Sequence, residues 1–218
     1  MLYYRPLASG ARLDHFLDAE LYGPLGLEDT GFRPRSEALA TPQAGIVATS
    51  HGNPFERRMV HDPDFGYTID LDPERWSDWR GYTLVGEVND GNAWHAFEGV
   101  AGHAGLFASA PDLGVLLRLL LARGSIDEHR MISAETVDHF LSPQLEGQAL
   151  GWQLPDYAPE GSFGHTGFTG TFVLGVPSRG LGLVLLTNRQ NGGVDAETQY
   201  PDVGPLQRAI VSALMDER

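Results

Sequence analysis

Two apolar runs separated by a four-residue turn constrain the fold of this chain more than any other feature. The runs are "TFVLGV" (171–176) and "LGLVLLTN" (181–188), and "PSRG" between them is typical of the turn of an antiparallel hairpin. A further run, "LGWQLP" (150–155), predicts another strand. An amphipathic helix with Leu206, Ile210, Val211 and Leu214 inward is expected to follow. Residues 149–218 therefore predict an antiparallel sheet of about three strands covered by a helix.

Helical patterns dominate the chain before this sheet. Residues 11–22 have apolar side chains at helical spacing, and Gly23, Pro24 and Gly26 are expected to end that helix. Ser109 and Asp112 have the spacing of a capping box and predict a helix, largely buried, that ends at Gly124. A shorter helix is expected from Ser133 to about Leu141.

The predicted organisation is a single α/β (α+β) domain over residues 1–218, with one long irregular excursion. That excursion, residues 36–82, is polar and rich in Pro and Asp, and it predicts little regular structure beyond one short hairpin.

The charge and composition exclude several kinds of function. A net charge of −14 argues against partners that are nucleic acids or anionic membrane surfaces. All 15 basic residues are arginine, so lysine chemistry and the Walker A loop are excluded. There is no cysteine, and no histidine pair has metal-ligand spacing, so neither a metal nor a cofactor is expected. The opening "MLYYRPLASG" lacks the apolar core of a signal peptide, so the chain as it stands is expected to be cytoplasmic.

The stretch "FGHTGFTGTF" (163–172) is the strongest candidate for a functional site. His165 and Thr166 lie between glycines, and a glycine-bracketed backbone permits close approach by another molecule. An isolated His-Thr-Gly is nonetheless more often a hydrogen-bonded sheet histidine followed by a turn, so these residues alone do not decide the function.

Four separated motifs favour a functional role for this stretch. In order, "LYGPLGLEDTGFRP", "GEVNDGNAWHAFEGVAGHAGLFASAPDL", "FGHTGFTGTFVLGVP" and "LVLLTNR" closely resemble the C-terminal half of the serine β-lactamase and penicillin-binding-protein family. The likeness is strongest to its class C, esterase-like, penicillin-binding-protein-4B-like branch. It implies a β-lactamase-type fold and acyl transfer from a β-lactam, a D-alanyl peptide or an ester.

The resemblance also implies roles for individual residues. His165-Thr166-Gly167 resembles the third motif, K-T-G or H-T-G, on the strand that edges the active site. By this likeness His165 assists catalysis beside the nucleophile, and Thr166 donates to a substrate carboxylate. The Phe168 N–H forms half of the oxyanion hole, and Gly167 lets the substrate lie against the strand.

The chain departs from the family in two motifs. The serine nucleophile lies in S-x-x-K, which cannot occur without lysine, and no tyrosine begins a Y-x-N. We therefore expect the segment with the nucleophile and the first strands of the sheet to be missing and the chain to be inactive alone. Asn89 stands where the branch tends to have histidine.

For the other candidate residues, a structural role is weighed against a functional one. His103 is expected to lie in a tight loop, and "NDGN" (89–92) to form a turn. Arg189 could face a substrate carboxylate, with a surface ion pair as the alternative.

The function stays open among three hypotheses. The chain could be the substrate-binding part of a broken hydrolase, half of a split enzyme completed by a separate N-terminal chain, or a non-catalytic binding domain. The expected partners are a cell-wall type substrate and either a second copy or the missing half. The parent protein could belong to the cell envelope.

Overall fold

A computed structural model describes residues 9–34, 45–65 and 72–216, and the chain divides into two compact units. Unit 1 contains Met1–Glu20, Asp29–Phe107 and Asn188–Asp202, and unit 2 contains Leu21–Glu28, Ala108–Thr187 and Val203–Arg218. The α-helices of the described residues are α1 (Leu13–Leu17), α2 (Gly23–Leu25), α3 (Pro54–His61), α4 (Gly91–Phe97), α5 (Ala110–Leu121), α6 (Ala134–Leu141) and α7 (Gly204–Asp216). The strands are β1 (Gly31–Phe32), β2 (Ala48–His51), β3 (Thr83–Val85), β4 (Leu106–Phe107), β5 (Ser125–Ile126), β6 (His129–Arg130), β7 (Phe163–Thr166), β8 (Thr171–Val176) and β9 (Leu181–Leu186).

The main sheet lies in unit 2 and has the order β7-β8-β9, with both pairs antiparallel. The β8–β9 hairpin turns through a short 3-10 helix, Pro177–Arg179, and Gly180 has a φ of +59°. The hydrophobic core beneath this sheet contains Phe172, Leu174 and Val176 on β8, which pack with Val211 of α7. Burial of these four apolar side chains supplies the main stabilisation of this layer. The hairpin, the three-stranded sheet and its covering helix agree with the sequence prediction.

Helix α5 begins as its capping residues predict. The Ser109 hydroxyl accepts a hydrogen bond from the Asp112 N–H at 3.3 Å. After the helix, Gly124 has a φ of +88°, and a Cβ there would lie 2.1 Å from the Ile132 carbonyl oxygen, so only glycine fits. Leu117 and Leu119 are buried, but other leucines of α5 line an apolar cavity of about 210 Å³. The helix is thus less enclosed than the sequence predicts.

Unit 1 contains two short antiparallel pairs, β1–β4 and β2–β3. Helix α4 anchors a second apolar cluster, in which Val88, Ala93 and Ala101 are buried. Asp90 caps this helix by accepting from the Ala93 N–H at 2.7 Å.

Three details of the sequence prediction are wrong. "LGWQLP" contributes only two isolated bridges, from Gln153 to Gln148 and to Gly164, and β7 is the first strand of the sheet instead. Leu206 is 49% exposed, and Gln207 takes the inward position on α7. The first helical segment also continues past Gly23 through α2, because a proline in the first turn of a helix needs no N–H donor, and it ends at Gly26, φ +67°.

The stretch 36–82 contains more regular structure than expected. Helix α3 occupies Pro54–His61, and β2 pairs with β3 just beyond the end of the stretch. The pair Asn53-Pro54 is a helix-start signal that the polar composition masked, since Pro is favoured at the first helical position. Residues 36–44 and 66–71 of this stretch lie outside the described residues.

No helix within the described ranges combines the length and the apolar character that crossing a lipid bilayer requires.

Candidate functional site

Strand β7 carries His165 and Thr166 at its C-terminal end. On one side it pairs with β8, with His165 opposite Val173 and Thr166 opposite Phe172. On the other side, Gly164 exchanges two backbone hydrogen bonds with Gln153, at 2.8 and 2.9 Å. The strand is therefore held from both edges up to Gly164. A Cβ on Gly164 would lie 2.5 Å from the Val173 carbonyl oxygen, so this position requires glycine.

The side chains of His165 and Thr166 are exposed, whereas Phe163 at the start of the strand is fully buried. The His165 Nδ1 lies 2.7 Å from the Thr166 carbonyl oxygen. A carbonyl can only accept, so this contact places the proton on Nδ1 and leaves Nε2 as the acceptor of the neutral ring. The Thr166 hydroxyl has no hydrogen-bond partner among the described residues, and it can therefore donate to a bound ligand.

A tight turn follows the strand immediately. Gly167 donates to the Thr171 carbonyl oxygen at 2.7 Å, and Gly170 donates to the Gly167 carbonyl oxygen at 2.9 Å. A Cβ on Gly167 would lie 2.1 Å from Thr171 Oγ1, which explains the glycine there. Phe168 occupies the turn with its side chain 45% exposed. The backbone of Phe168 thus lies in this turn, one residue beyond the exposed histidine and threonine.

The structure brings together four of the five predicted site residues, because His165, Thr166, Gly167 and Phe168 are consecutive. The side chains of His165, Thr166 and Phe168 are exposed, and Gly167 is half-buried. Arg189 belongs to unit 1, where its Nη1 donates to the Pro201 carbonyl oxygen at 3.2 Å. The catalytic and substrate-binding roles of all five residues stay predictions.

Unit 1 contains a buried polar cluster that the sequence did not reveal, made of Ser50, Asn53, Glu56, Arg80 and Asn89. The Ser50 hydroxyl lies 2.7 Å from Oδ1 of Asn53 and 2.7 Å from Oδ1 of Asn89. A hydroxyl has one proton, and the Asn53 Nδ2 already donates to Glu56 at 2.8 Å and to the Asn89 carbonyl oxygen. The Asn89 amide must therefore turn its N–H toward Ser50 to satisfy the cluster.

Charged groups complete the cluster. Arg80 donates to the carbonyl oxygens of Val88 and Asn89 at 2.6 and 2.7 Å. Burial lowers the pKa of Arg80 from its ordinary value, and the nearby Glu56 carboxylate acts against that effect. Burial raises the pKa of Glu56, and the negative charge of Asp90 adds to this. Hydrogen bonds from Gly91 and Asn53 and the positive charge of Arg80 lower it by less.

One of the remaining candidates, Asn89, belongs to this cluster, and His103 contacts the neighbouring Asp90. Asn89 is buried within it, and "NDGN" forms the start of α4 rather than a turn, because the Asp90 carboxylate caps that helix. His103 is exposed, and its Nε2 lies 3.3 Å from Oδ1 of Asp90. Two signals in the sequence could have indicated the helix starts at this cluster. They are Asn53, which precedes a proline, and Asp90, three residues before Ala93. Neither signal shows that residues 35 positions apart meet.

Comparison with known proteins decides the family, since the sequence model of the beta-lactamase family matches residues 6–205. The chain belongs to the β-lactamase family. Within the family, it is 31% identical over 207 residues to the N-acetylmuramyl-L-alanine amidase of Bacillus subtilis, covering 89% of this chain and 43% of that protein. It is 32% identical over 221 residues to a "Putative D-alanyl-D-alanine carboxypeptidase" of Salmonella paratyphi B, covering 94% of this chain and 47% of that protein.

A solved structure supports the same β-lactamase fold. The penicillin-binding protein homologue from Caulobacter crescentus superposes with a TM-score of 0.51 at 18% identity, covering 86% of this chain and 50% of that one. The fold is thus the mixed α/β fold of β-lactamases and transpeptidases, with helices and small antiparallel sheets. The chain spans less than half the length of the two curated relatives.

Proposed function

We propose that this chain is the substrate-binding part of a β-lactamase-family serine hydrolase that acts by acyl transfer. The observation that carries the proposal is the exposed His165 and Thr166 at the end of β7, with the Thr166 hydroxyl available as a donor. In this reading the hydroxyl donates to a substrate carboxylate. The Phe168 N–H contributes to the oxyanion hole, and Gly167 leaves room for the ligand.

The names of two relatives support one substrate class. Their names describe an amidase and a carboxypeptidase, which favours an amide of a cell-wall peptide over a simple ester. A β-lactam is the corresponding cyclic amide. Such substrates carry a carboxylate close to the reacting amide, and a threonine hydroxyl beside an exposed strand is suited to receive it.

Binding of the substrate and its turnover have different requirements in this chain. Acyl transfer in this family uses a serine activated by a neighbouring base, and these 218 residues contain no lysine to complete S-x-x-K. We propose that the chain binds the substrate but does not by itself form an acyl-enzyme.

A second chain that completes the site is the alternative with structural support. Strand β9 ends the main sheet, and its outer edge pairs with no other strand among the described residues. Unpaired edges accept strands from partners. Either a second copy or a separate chain with the nucleophile could occupy this edge.

The binding proposal is tested by NMR titration of the 218-residue chain with an N-acylated D-alanyl-D-alanine and with benzylpenicillin. We expect saturable shifts of the backbone amides between Phe163 and Gly170. Thr166→Val, which removes the hydroxyl but keeps the side-chain shape, should weaken binding roughly tenfold, the equivalent of about 1.4 kcal/mol. The matched control is Thr136→Val on α6. Shifts that avoid residues 163–170, or equal effects of the two variants, would contradict the proposal.

A further inference from the structure

An open cleft in unit 1, separate from strand β7, carries an excess of hydrogen-bond donors. Its volume is about 430 Å³, and one wall is the side of α3 that presents Arg57, Arg58 and His61. The spacing of these residues along the helix brings their side chains to one side. Glu74 and Thr198 also line the cleft. The volume suits a small organic ligand.

Arg58 is held in a fixed orientation at this cleft. Its Nε lies 3.3 Å from Oδ2 of Asp62, and its Nη1 donates to the Glu197 carbonyl oxygen. Its guanidinium carbon lies 4.0 Å above the ring of Phe65. These contacts use one edge and one face of the guanidinium, and no described residue accepts from Nη2. An oriented guanidinium with an unused N–H group is preorganised for an oxyanion.

Two more donors in the cleft lack acceptors among the described residues. Arg57 is exposed on α3 and forms no ion pair with the described acidic residues. The Thr198 hydroxyl also has no partner there, and its backbone is fixed because Thr198 donates to the Asp195 carbonyl oxygen at 3.1 Å. Thr198 has a φ of +60°, a conformation that a β-branched residue rarely adopts, so the loop holds this side chain at some cost.

Among the described residues, Glu74 is the carboxylate that lines the cleft, and it is paired with another group. Oε1 of Glu74 lies 3.2 Å from Nδ1 of His61, and the Glu74 side chain is otherwise 81% exposed. Arg58 is paired with Asp62, so Arg57 is the guanidinium at the cleft that forms no ion pair with a described acidic residue.

We propose that this cleft binds a small oxyanion, the carboxylate or phosphate group of a ligand, through Arg57, Arg58 and Thr198. The two guanidinium groups neutralise the charge, and the hydroxyl donates to an oxygen that they leave exposed. The proposal does not depend on the function of strand β7, because it uses other residues of the other unit.

The test is NMR titration of the full chain with sodium phosphate and, separately, with sodium glutarate, at constant ionic strength maintained with chloride. We expect saturable shifts at the amides of Arg57, Arg58 and Thr198. Arg57→Gln should weaken binding at least tenfold. Arg118→Gln removes the same charge from the exposed face of α5 and should change the affinity less than twofold.

Because the Arg57 side chain forms no hydrogen bond or ion pair with a described residue, its variant should remain folded, and the dispersion of the amide spectrum checks this. Thr198→Val gives a second readout and should also weaken binding. Tighter binding of glutarate assigns the site to carboxylates, and tighter binding of phosphate assigns it to phosphorylated ligands. Linear, non-saturable shifts with both anions, or equal losses from Arg57→Gln and Arg118→Gln, would overturn the proposal.

Discussion

Glu56 accepts a hydrogen bond from the backbone N–H of Gly91 at 2.9 Å, across 35 residues of sequence. Its other carboxylate oxygen accepts from Nδ2 of Asn53, so one half-buried side chain joins the start of α3 to the start of α4. Both helix starts lie in stretches whose composition alone predicts loops. This carboxylate therefore links two helix starts that are far apart in sequence.

The raised pKa of Glu56 predicts a pH dependence of stability. Burial raises this pKa above its unfolded value, so the folded chain holds the proton more tightly than the unfolded chain does. The stabilising contribution is fully present below the unfolded pKa and is lost as the pH rises through the folded pKa. We expect wild type to gain unfolding free energy relative to Glu56→Gln as the pH falls from 7 to about 4.

Urea unfolding of both proteins across this pH range measures the difference. Carboxylates elsewhere in the chain titrate in both proteins, so their effects cancel. A difference that is independent of pH, or one that favours the variant at low pH, would show that burial does not control this carboxyl group.

A second prediction concerns covalent chemistry. We expect no stoichiometric acyl adduct when the 218-residue chain is incubated with benzylpenicillin or a fluorophosphonate, because the sequence contains no S-x-x-K serine. Intact-mass spectrometry detects the adduct, and a β-lactamase of the same family with a complete S-x-x-K serves as the positive control. Labelling of one serine in full would show that an unconventional nucleophile is present.

A third prediction compares Gly175, where a Cβ would clash with a neighbouring side chain, with Gly114, where there is room for one. A Cβ on Gly175 would lie 2.4 Å from the ring of the buried Phe163, so Gly175→Ala should destabilise the chain by roughly 1–3 kcal/mol. Apart from its chain neighbours and the backbone of its own helix, no atom lies within 4 Å of the corresponding position on Gly114 in α5. Gly114→Ala should therefore stabilise the chain by about 0.4–1 kcal/mol. Urea unfolding compares the two, and changes of the same sign would contradict the described packing.

The edge of β9 predicts self-association. Leu186 at the end of this strand is 40% exposed, and leaving apolar surface in water costs about 25 cal/mol per Å². We expect sedimentation equilibrium at micromolar concentration to show a dimer or a larger species. Leu186→Lys should shift the population toward monomer, whereas Leu206→Lys on α7, where the leucine is 49% exposed, should not. A single monomeric species for wild type would refute this expectation.

Local patterns in the sequence predicted the local structure well. The β8–β9 hairpin follows from two apolar runs and a turn, and the starts of α5 and α6 follow from Ser109 and Ser133, which accept from N–H groups three residues later. These signals operate within a few residues, so a single sequence contains them in full.

The misses have a different physical origin. "LGWQLP" is apolar enough for a strand, but only Gln153 within it forms a backbone bridge to β7, since pairing depends on the partner as well as on the segment. The cluster of Ser50, Asn53 and Asn89 joins residues up to 39 positions apart. Polar residues in loops have no periodic pattern, so their meeting could not be predicted. The candidate strand itself was found from sequence because its residues are consecutive.

The double support of Gly164 has a consequence for how β7 would recognise a ligand. With Gln153 on one edge and β8 on the other, the backbone before His165 has little freedom to adjust. The turn from Gly167 to Gly170 fixes the chain on the far side. A ligand that docks here would lose its own conformational entropy but would not need to order the strand, which favours tight binding of rigid ligands over flexible ones. If the proposed function holds, a bicyclic β-lactam should lose less conformational entropy on docking at this surface than a linear dipeptide does.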